Sequence, residues 1–185
     1  MNTYQTDKRP FERGLVHVYT GDGKGKTTAA LGTALRALGW GIRVCVVQFI
    51  KGYPDIGEAR FAAEFGERFV LKQFAIDPCR AIDEAKVRQR KEAAEAAMAF
   101  AEQVVLSGEY GLVILDEINN AMHYRLIDVD RVLNLIKRKP AEVELILTGR
   151  NAPQAIIDAA DYATEMRLLK HPFQQGISAR KGIDY

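Results

Sequence analysis

Cysteine, tryptophan and long apolar runs are scarce in this sequence of 185 residues. The two cysteines, Cys45 and Cys79, do not form a CxxC pair, which excludes a disulfide framework and a zinc site of the usual spacing. No apolar run approaches the roughly 18–20 residues that a membrane-spanning helix needs. The polar residues 1–10 lack the apolar core of a signal peptide. These absences predict a reduced, soluble, cytoplasmic protein that has no membrane partner.

Neither sign of charge is in large excess, since the sequence contains 26 Lys and Arg residues and 24 Asp and Glu residues. The formal charge of +2 is too small to indicate a nucleic-acid partner by itself. The length fits a single domain over residues 1–185, because domains mostly contain about 100–200 residues. Residues 1–13 are expected to form a flexible N-terminal segment. Residues 170–185 are expected to form an irregular C-terminal arm, because Pro172 and Gly182 interrupt regular structure.

Short β-branched apolar runs alternate with segments of helical spacing. Strands are predicted at Leu15–Tyr19, Arg43–Phe49, Phe69–Phe74, Leu112–Leu115, Glu144–Leu147 and, more weakly, Tyr162–Leu168. Helices are predicted at Thr27–Leu38, Glu58–Phe65, Ala81–Leu106, Asp130–Lys137 and Pro153–Ala160. This order favours an α/β fold in which helices flank both faces of a parallel sheet.

A glycine-rich loop, residues 20–28, lies between the first strand and the first helix and reads TGDGKGKTT. Glycines let successive backbone N–H groups turn toward one anion, and the helix N-terminus adds its own N–H groups. In a P-loop, Lys26 reaches a terminal phosphate and the Thr27 hydroxyl coordinates Mg²⁺. Thr20 stands where the usual motif begins with glycine, so this loop is one residue tighter. Lys24 is either a ligand contact or an exposed turn lysine.

Two acids, Asp116 and Glu117, directly follow an apolar strand. Ligands of parallel sheets bind beyond the carboxyl ends of the strands, so these acids are expected at the same edge as Thr27. Oxygen ligands suit Mg²⁺, which predicts a metal site formed by these three residues. Arg150 follows another strand and either contacts a phosphate or ribose or forms a surface ion pair. Gln48 ends the second strand and is expected to line the same cleft.

An Mg-NTP site of this kind does not by itself name a reaction. A hydrolase would use Glu117 to activate water, whereas a transferase or kinase would bring another nucleophile. A nucleotide-gated interaction protein is the third possibility, with the alanine-rich helix Ala81–Leu106 as its docking face. That helix carries an apolar stripe, which we expect to cover the sheet.

Several segments together resemble the P-loop type of ATP:corrinoid adenosyltransferases, also called cob(I)alamin or cob(I)yrinic acid a,c-diamide adenosyltransferases. The matching segments are Tyr19–Ala30, Val46–Gly52, Leu115–Glu117, Leu147–Arg150, Lys170–Phe173 and Lys181–Tyr185. The resemblance implies a P-loop NTPase-like fold, usually in a homodimer, that binds ATP in reversed orientation. It implies transfer of the 5′-deoxyadenosyl group of Mg-ATP to the Co(I) centre of a corrinoid, with release of triphosphate, in adenosylcobalamin synthesis or salvage. A separate, unidentified reductant is expected to supply the reduced cobalt.

The resemblance also implies roles for individual residues. The nucleotide-binding residues would be Gly21, Asp22, Gly23, Lys24, Gly25, Lys26, Thr27, Thr28 and Arg150. The metal would be held by Thr27, Asp116 and Glu117, with Glu117 favoured for direct contact, and the catalytic residues would be Lys26, Thr27 and Glu117. The family commonly has a Phe-x-Trp segment on the corrinoid side, where this chain has Phe74 and Ile76. Ile76 in place of tryptophan is expected to exclude water near the cobalt, because its side chain is apolar.

Overall fold

The computed structural model describes residues 11–50, 55–74 and 84–185. Within them, six short strands form one sheet in the order β3-β2-β4-β5-β1-β6, and every neighbouring pair is parallel. The strands are β1 Val16–Thr20, β2 Val44–Gln48, β3 Phe69–Gln73, β4 Leu112–Asp116, β5 Glu144–Thr148 and β6 Tyr162–Glu165. At least one helix separates each strand from the next along the chain, as parallel pairing requires.

Helices cover both faces of this sheet. The first face carries α1 Lys26–Gly39 and α2 Gly57–Phe65. The second face carries α3 Glu84–Ser107, α4 Ile118–His123, α5 Val129–Arg138 and α6 Gln154–Asp158. A 3₁₀ helix, Pro172–Gln175, follows the last strand. Among the described helices, none is long and apolar enough to cross a membrane.

The central strands are buried on both sides, which explains why their sequences are continuously apolar. In β2, Val44 and Val46 pack toward α1, whereas Cys45 and Val47 pack toward α3. All five residues of β2 and of β4 are buried. Burial raises the pKa of the Cys45 thiol to about 12, so this cysteine is a neutral core residue.

The predicted α/β fold is confirmed, with every expected strand and helix present. The sequence did not predict the short helix α4. The alanine-rich stripe of α3 covers the sheet, as expected, because Ala97, Met98 and Ala101 are fully buried in the core. The weak last strand ends at Glu165, earlier than predicted, because the chain then turns to run along the glycine-rich loop.

The two ends of the chain differ in how they attach to this fold. Residues 1–10 of the expected N-terminal segment lie outside the described residues, and Phe11 packs against the α1 face. Residues 170–185 contain the 3₁₀ helix Pro172–Gln175 and no strand or α-helix. We call these residues the C-terminal arm. The arm lies over the glycine-rich loop rather than along the sheet.

Candidate functional site at the glycine-rich loop

The glycine-rich loop is shaped by close contact with the segment that follows β6. Gly21 and Gly25 have φ angles of 92° and 123°, a region that side chains other than glycine rarely adopt. A Cβ atom on Gly21 would lie 2.5 Å from the carbonyl oxygen of Met166. The N–H of Gly23 donates to this same oxygen at 2.6 Å. The glycines are therefore needed here for the backbone turn and for the approach of Met166.

Lys26 lies inside the loop. Its side chain is buried at 8% exposure, and its Nζ donates to the carbonyl oxygens of Gly21 at 2.6 Å and Gly23 at 2.8 Å. Within the described residues, no side chain caps the start of α1 and its first turn contains no acid. The ammonium group and the N–H groups of this helix end form a positively polarised pocket of the kind that holds phosphate.

Asp116 organises the edge of the sheet beside this pocket. It is fully buried, and its Oδ1 accepts hydrogen bonds from the hydroxyls of Thr27 at 2.9 Å and Thr148 at 2.6 Å. Its Oδ2 accepts from Nε2 of Gln48 at 3.1 Å. These donors compensate for burial of the carboxylate. The expected proximity of Thr27 and Asp116 is therefore observed, and Thr148 joins them.

Glu117 occupies a backbone conformation that is costly for a residue with a side chain. Its φ angle of 66° lies in the left-handed region, and its N–H donates to the Thr148 hydroxyl at 3.0 Å. Its side chain lines the cleft above the loop. Glu117 thus turns away from the buried position of Asp116 and adds a carboxylate to the cleft. The Thr27 hydroxyl and these carboxylates are hard oxygen donors, which fit Mg²⁺.

A cleft of about 550 Å³ opens above the loop. The residues 22–28 form its floor, and Glu117 and Arg150 lie along its side. The C-terminal arm forms the opposite wall, with residues between His171 and Tyr185 facing the loop. The volume is comparable with that of clefts that bind small molecules.

Arg150 and Asp22 both line this cleft and form an ion pair. The guanidinium Nη1 of Arg150 lies 3.5 Å from Oδ1 of Asp22, and both side chains are more than half exposed. The backbone N–H of Arg150 donates to Oδ1 of Asn120 at 2.5 Å, which fixes the chain after β5. Arg150 is therefore at the predicted edge, in a surface ion pair. Its contact with a nucleotide stays a prediction.

The C-terminal arm is tied to the loop by Lys24, which the sequence analysis singled out, and by Asp184 and Arg180, whose roles it did not predict. Nζ of Lys24 lies 3.0 Å from Oδ1 of Asp184 and donates to the carbonyl oxygen of Ile183 at 3.2 Å. Oδ2 of Asp184 accepts from the backbone N–H of Arg180 at 2.9 Å and from its Nε at 3.1 Å. These hydrogen bonds hold the pKa of Asp184 well below its usual range. The four-residue spacing of opposite charges was the available sequence signal.

Other predicted residues lie elsewhere or outside the described chain. Phe74 packs against Phe100, with ring centroids 5.5 Å apart, and contacts the core beneath α3. Ile76 lies outside the described residues. Gln48 reaches the site through Asp116 rather than by lining the described cleft wall. Thr148 and Asn120 were missed. The signal for Thr148 was a polar residue at the end of an apolar strand, and the signal for Asn120 was a polar residue in the helix just after one.

Comparison with known proteins adds an independent finding. A family model described as ATP:corrinoid adenosyltransferase BtuR/CobO/CobP matches residues 12–185. A corrinoid adenosyltransferase of Pseudomonas aeruginosa is 43% identical, covering 94% of this chain and 85% of its own length. A corrinoid adenosyltransferase of Escherichia coli strain K12 is 37% identical, covering 94% of this chain and 87% of its own. A KaiC-like protein of Pyrococcus horikoshii shares the fold, with a TM-score of 0.51 at 16% identity over 87% of this chain and 76% of that one.

Proposed function

The chain belongs to the ATP:corrinoid adenosyltransferase family, and from this membership we propose how its residues perform the reaction. The family activity is adenosylation of corrinoids for cobalamin synthesis, with ATP as co-substrate. We propose that the glycine-rich loop holds the triphosphate of ATP. The observation that carries this proposal is the buried Lys26, the first residue of the uncapped helix α1, whose ammonium group donates to the carbonyls of Gly21 and Gly23.

The triphosphate is the leaving group of the reaction, so its stabilisation is the main electrostatic task. Lys26 exchanges its bonds to the carbonyls of Gly21 and Gly23 for bonds to phosphate oxygens. The N–H groups at the start of α1 add donors that need no reorganisation when negative charge develops. Thr28 lies in this first turn and lines the cleft. Arg150 is placed to add a further positive charge at the side of the cleft.

The residues beside the loop fit Mg²⁺, which neutralises charge on the triphosphate when bound. The Thr27 hydroxyl donates a hydrogen bond to Asp116, which leaves the oxygen lone pairs of Thr27 for a metal ion. Glu117 lines the cleft and is our choice for the direct carboxylate contact. Asp116 is buried beneath Thr27 and orients its hydroxyl, so its contribution to the metal passes through Thr27.

The transfer step needs no nucleophile from the protein. The cobalt of the Co(I) corrinoid donates an electron pair to C5′ of ATP and forms the cobalt–carbon bond. The bond between C5′ and the triphosphate oxygen breaks, and triphosphate leaves with that electron pair. The task of the protein is to align these groups and to exclude other acceptors. A cleft lined by groups that suit phosphate and metal binding agrees with this role of the protein.

The family resemblance also supports proposals about the cellular location, the oligomeric state, the reductant and the corrinoid side of the site. We propose that the enzyme works in the cytoplasm as a homodimer, with a separate reductant delivering the Co(I) state. No role for nucleic acid is expected, given the formal charge of +2. Phe74 and Ile76 are proposed to lie on the corrinoid side. For Phe74, partial burial against Phe100 supports an apolar wall rather than a polar contact.

The reaction is tested by incubating the purified protein anaerobically with Mg-ATP and chemically reduced cobalamin or cobinamide. We expect a light-sensitive alkylated corrinoid and an equal amount of triphosphate. Lys26→Ala is expected to abolish both products, whereas Lys137→Ala, a surface change on α5, is the matched control and retains them. Cleavage of ATP to ADP and phosphate without an alkylated corrinoid would instead support a hydrolase that uses Glu117 to activate water.

A further inference from the structure

A carboxylate of the protein itself occupies the cationic end of the cleft. Asp184 contacts Nζ of Lys24 at 3.0 Å through one oxygen and Nε of Arg180 at 3.1 Å through the other. Lys24, Arg180 and Asp184 all line the cleft above the glycine-rich loop. The side chain of Asp184 is 20% exposed, compared with 47% for Lys24 and 58% for Arg180. The anion thus lies between two cations that remain open to the cleft.

The position of the C-terminal arm does not depend on Asp184 alone. Nζ of Lys181 lies 2.8 Å from Oδ2 of Asp55, which precedes α2. The N–H of Gly182 donates to the carbonyl oxygen of Tyr185 at 2.8 Å and closes a turn at the end of the arm. The backbone of Ile183 is bonded to Lys24 independently of the Asp184 side chain. Because other contacts anchor the arm, anchoring does not explain why the Asp184 carboxylate contacts the two cations.

We propose that Lys24 and Arg180 bind the triphosphate in addition to Lys26, and that the Asp184 carboxylate occupies the position between these two cations until the nucleotide displaces it. This inference rests on the proposed function, because it assumes that triphosphate binds in the glycine-rich loop. A triphosphate carries several negative charges, and the cleft offers more cations than Lys26. Lys24 lies in the same loop as Lys26, and Arg180 lines the cleft from the C-terminal arm. Arg180 is suited to phosphate because its guanidinium offers several donors in a fixed plane.

Displacement of Asp184 also bears on product release. When triphosphate leaves, the carboxylate returns to the two cations and competes with rebinding. Exchange of one anion for another keeps the charge near Lys24 and Arg180 balanced throughout the cycle. A reaction that ends with a highly charged product benefits from such an internal competitor, because release of a tightly held product often limits turnover.

The test measures binding of inorganic tripolyphosphate by isothermal titration calorimetry, with magnesium present. We expect Asp184→Asn to tighten binding about 5- to 10-fold, because this variant removes the anion that competes for Lys24 and Arg180. We expect Arg180→Gln to weaken binding by a similar factor. Matched controls are Asp158→Asn, an exposed acid on α6, and Lys137→Gln, an exposed lysine on α5. Both controls are expected to stay within about twofold of the unmodified protein.

Tripolyphosphate affinity that rises in Asp184→Asn and falls in Arg180→Gln distinguishes competition from anchoring. If Asp184 only anchors the arm, Asp184→Asn and Arg180→Gln both weaken tripolyphosphate binding or leave it unchanged, and the proposal is overturned. In the transfer assay, Asp184→Asn is expected to make tripolyphosphate a stronger product inhibitor by the same factor. If the unmodified protein forms alkylated corrinoid and Lys26→Ala does not, the proposed function stands whatever Asp184→Asn shows. Absence of both transfer and tripolyphosphate binding would overturn both proposals.

Discussion

Adjacent carboxylates in this protein have different environments, and the difference lies in one backbone angle. Asp116 continues β4 and points into the interior, where hydroxyl and amide donors surround it. Glu117 turns into the left-handed region at φ 66°, and its side chain reaches the cleft. Strain of this kind costs on the order of 1–3 kcal/mol and persists where surrounding contacts enforce it. The Thr148 hydroxyl, which bonds both residues, is one such contact.

The role of the Thr27 hydroxyl is open to a direct test with Thr33 as the control on the same helix. We expect Thr27→Ala to lower kcat/KM and raise the magnesium concentration needed for half-maximal transfer, each by about 10- to 100-fold. Thr27→Ser keeps the hydroxyl and is expected to restore most activity. Thr33→Ala removes a hydroxyl that bonds to the carbonyl of Ala29 within α1, and activity should change by less than about twofold.

Steady-state transfer rates over a range of magnesium concentrations provide the measurement. An equal loss of kcat at every magnesium concentration in Thr27→Ala would contradict a metal-binding role. That result would instead limit Thr27 to the support of Asp116 through their hydrogen bond of 2.9 Å.

Among the secondary-structure elements, the strands place several polar residues of the candidate site at their carboxyl ends. The strands β2, β4 and β5 finish with Gln48, Asp116 and Thr148, and these polar side chains meet because all three strands run in the same direction. Each is fully buried, so each polar group at the edge is placed by the sheet rather than by a loop. A site on strand ends is held more rigidly than one on loops.

The turn after β5 depends on a glycine that packs against the N-terminal half of α4. Gly149 has a φ angle of 128°, and a Cβ atom there would lie 2.9 Å from Oδ1 of Asn120. We expect Gly149→Ala to lower the free energy of unfolding by about 2–4 kcal/mol through strain and this clash. Gly32→Ala is the control within α1, where a Cβ atom meets nothing within 4 Å. That change should raise the free energy of unfolding by about 0.5–1 kcal/mol.

Urea unfolding followed by circular dichroism measures both changes at equilibrium. Stabilities of Gly149→Ala and Gly32→Ala that shift in the same direction would contradict the argument from φ and close contact. Because Asn120 also fixes the backbone of Arg150, Gly149→Ala should reduce transfer activity at temperatures where the protein is still folded.

At the scale of the whole molecule, two cores on opposite faces of the sheet hold the site between them. The core on the α3 face contains Cys45 beneath the alanine-rich helix. The core on the α1 face lies under the helix that begins at the glycine-rich loop. Because the central strands contribute side chains to both cores, loss of either core should disrupt the edge where Asp116 and Thr27 meet.

Cys45 provides a probe of this global packing. Its side chain is fully buried and burial raises its pKa to about 12, so the thiol is shielded and protonated at neutral pH. In a Cys79→Ser background we expect almost no reaction with Ellman's reagent until urea unfolds the protein. The measurement is the rate of thiol labelling against urea concentration. Fast labelling in buffer, at a rate similar to that of the unfolded chain, would contradict tight packing of α3 on the sheet.

Local patterns in the sequence were enough to predict the α/β order, the parallel sheet and the glycine-rich loop. Apolar runs of five residues, helical periodicity and the motif before Thr27 are all short-range signals. The motif also carried the resemblance to the family to which the chain belongs. The edge formed by Thr27 and Asp116 was predictable for the same reason, since parallel strands bring their carboxyl ends together.

The groups that surround the edge formed by Thr27 and Asp116 became visible only in the folded chain. The participation of Thr148, the left-handed turn at Glu117 and the contact of Met166 with the loop depend on residues far apart in the chain. The arm presents the clearest case, because Lys24 and Asp184 are 160 residues apart in the sequence and 3.0 Å apart in space. Local propensity cannot specify such a pairing, which arises when the sheet and its helices fix both partners in place.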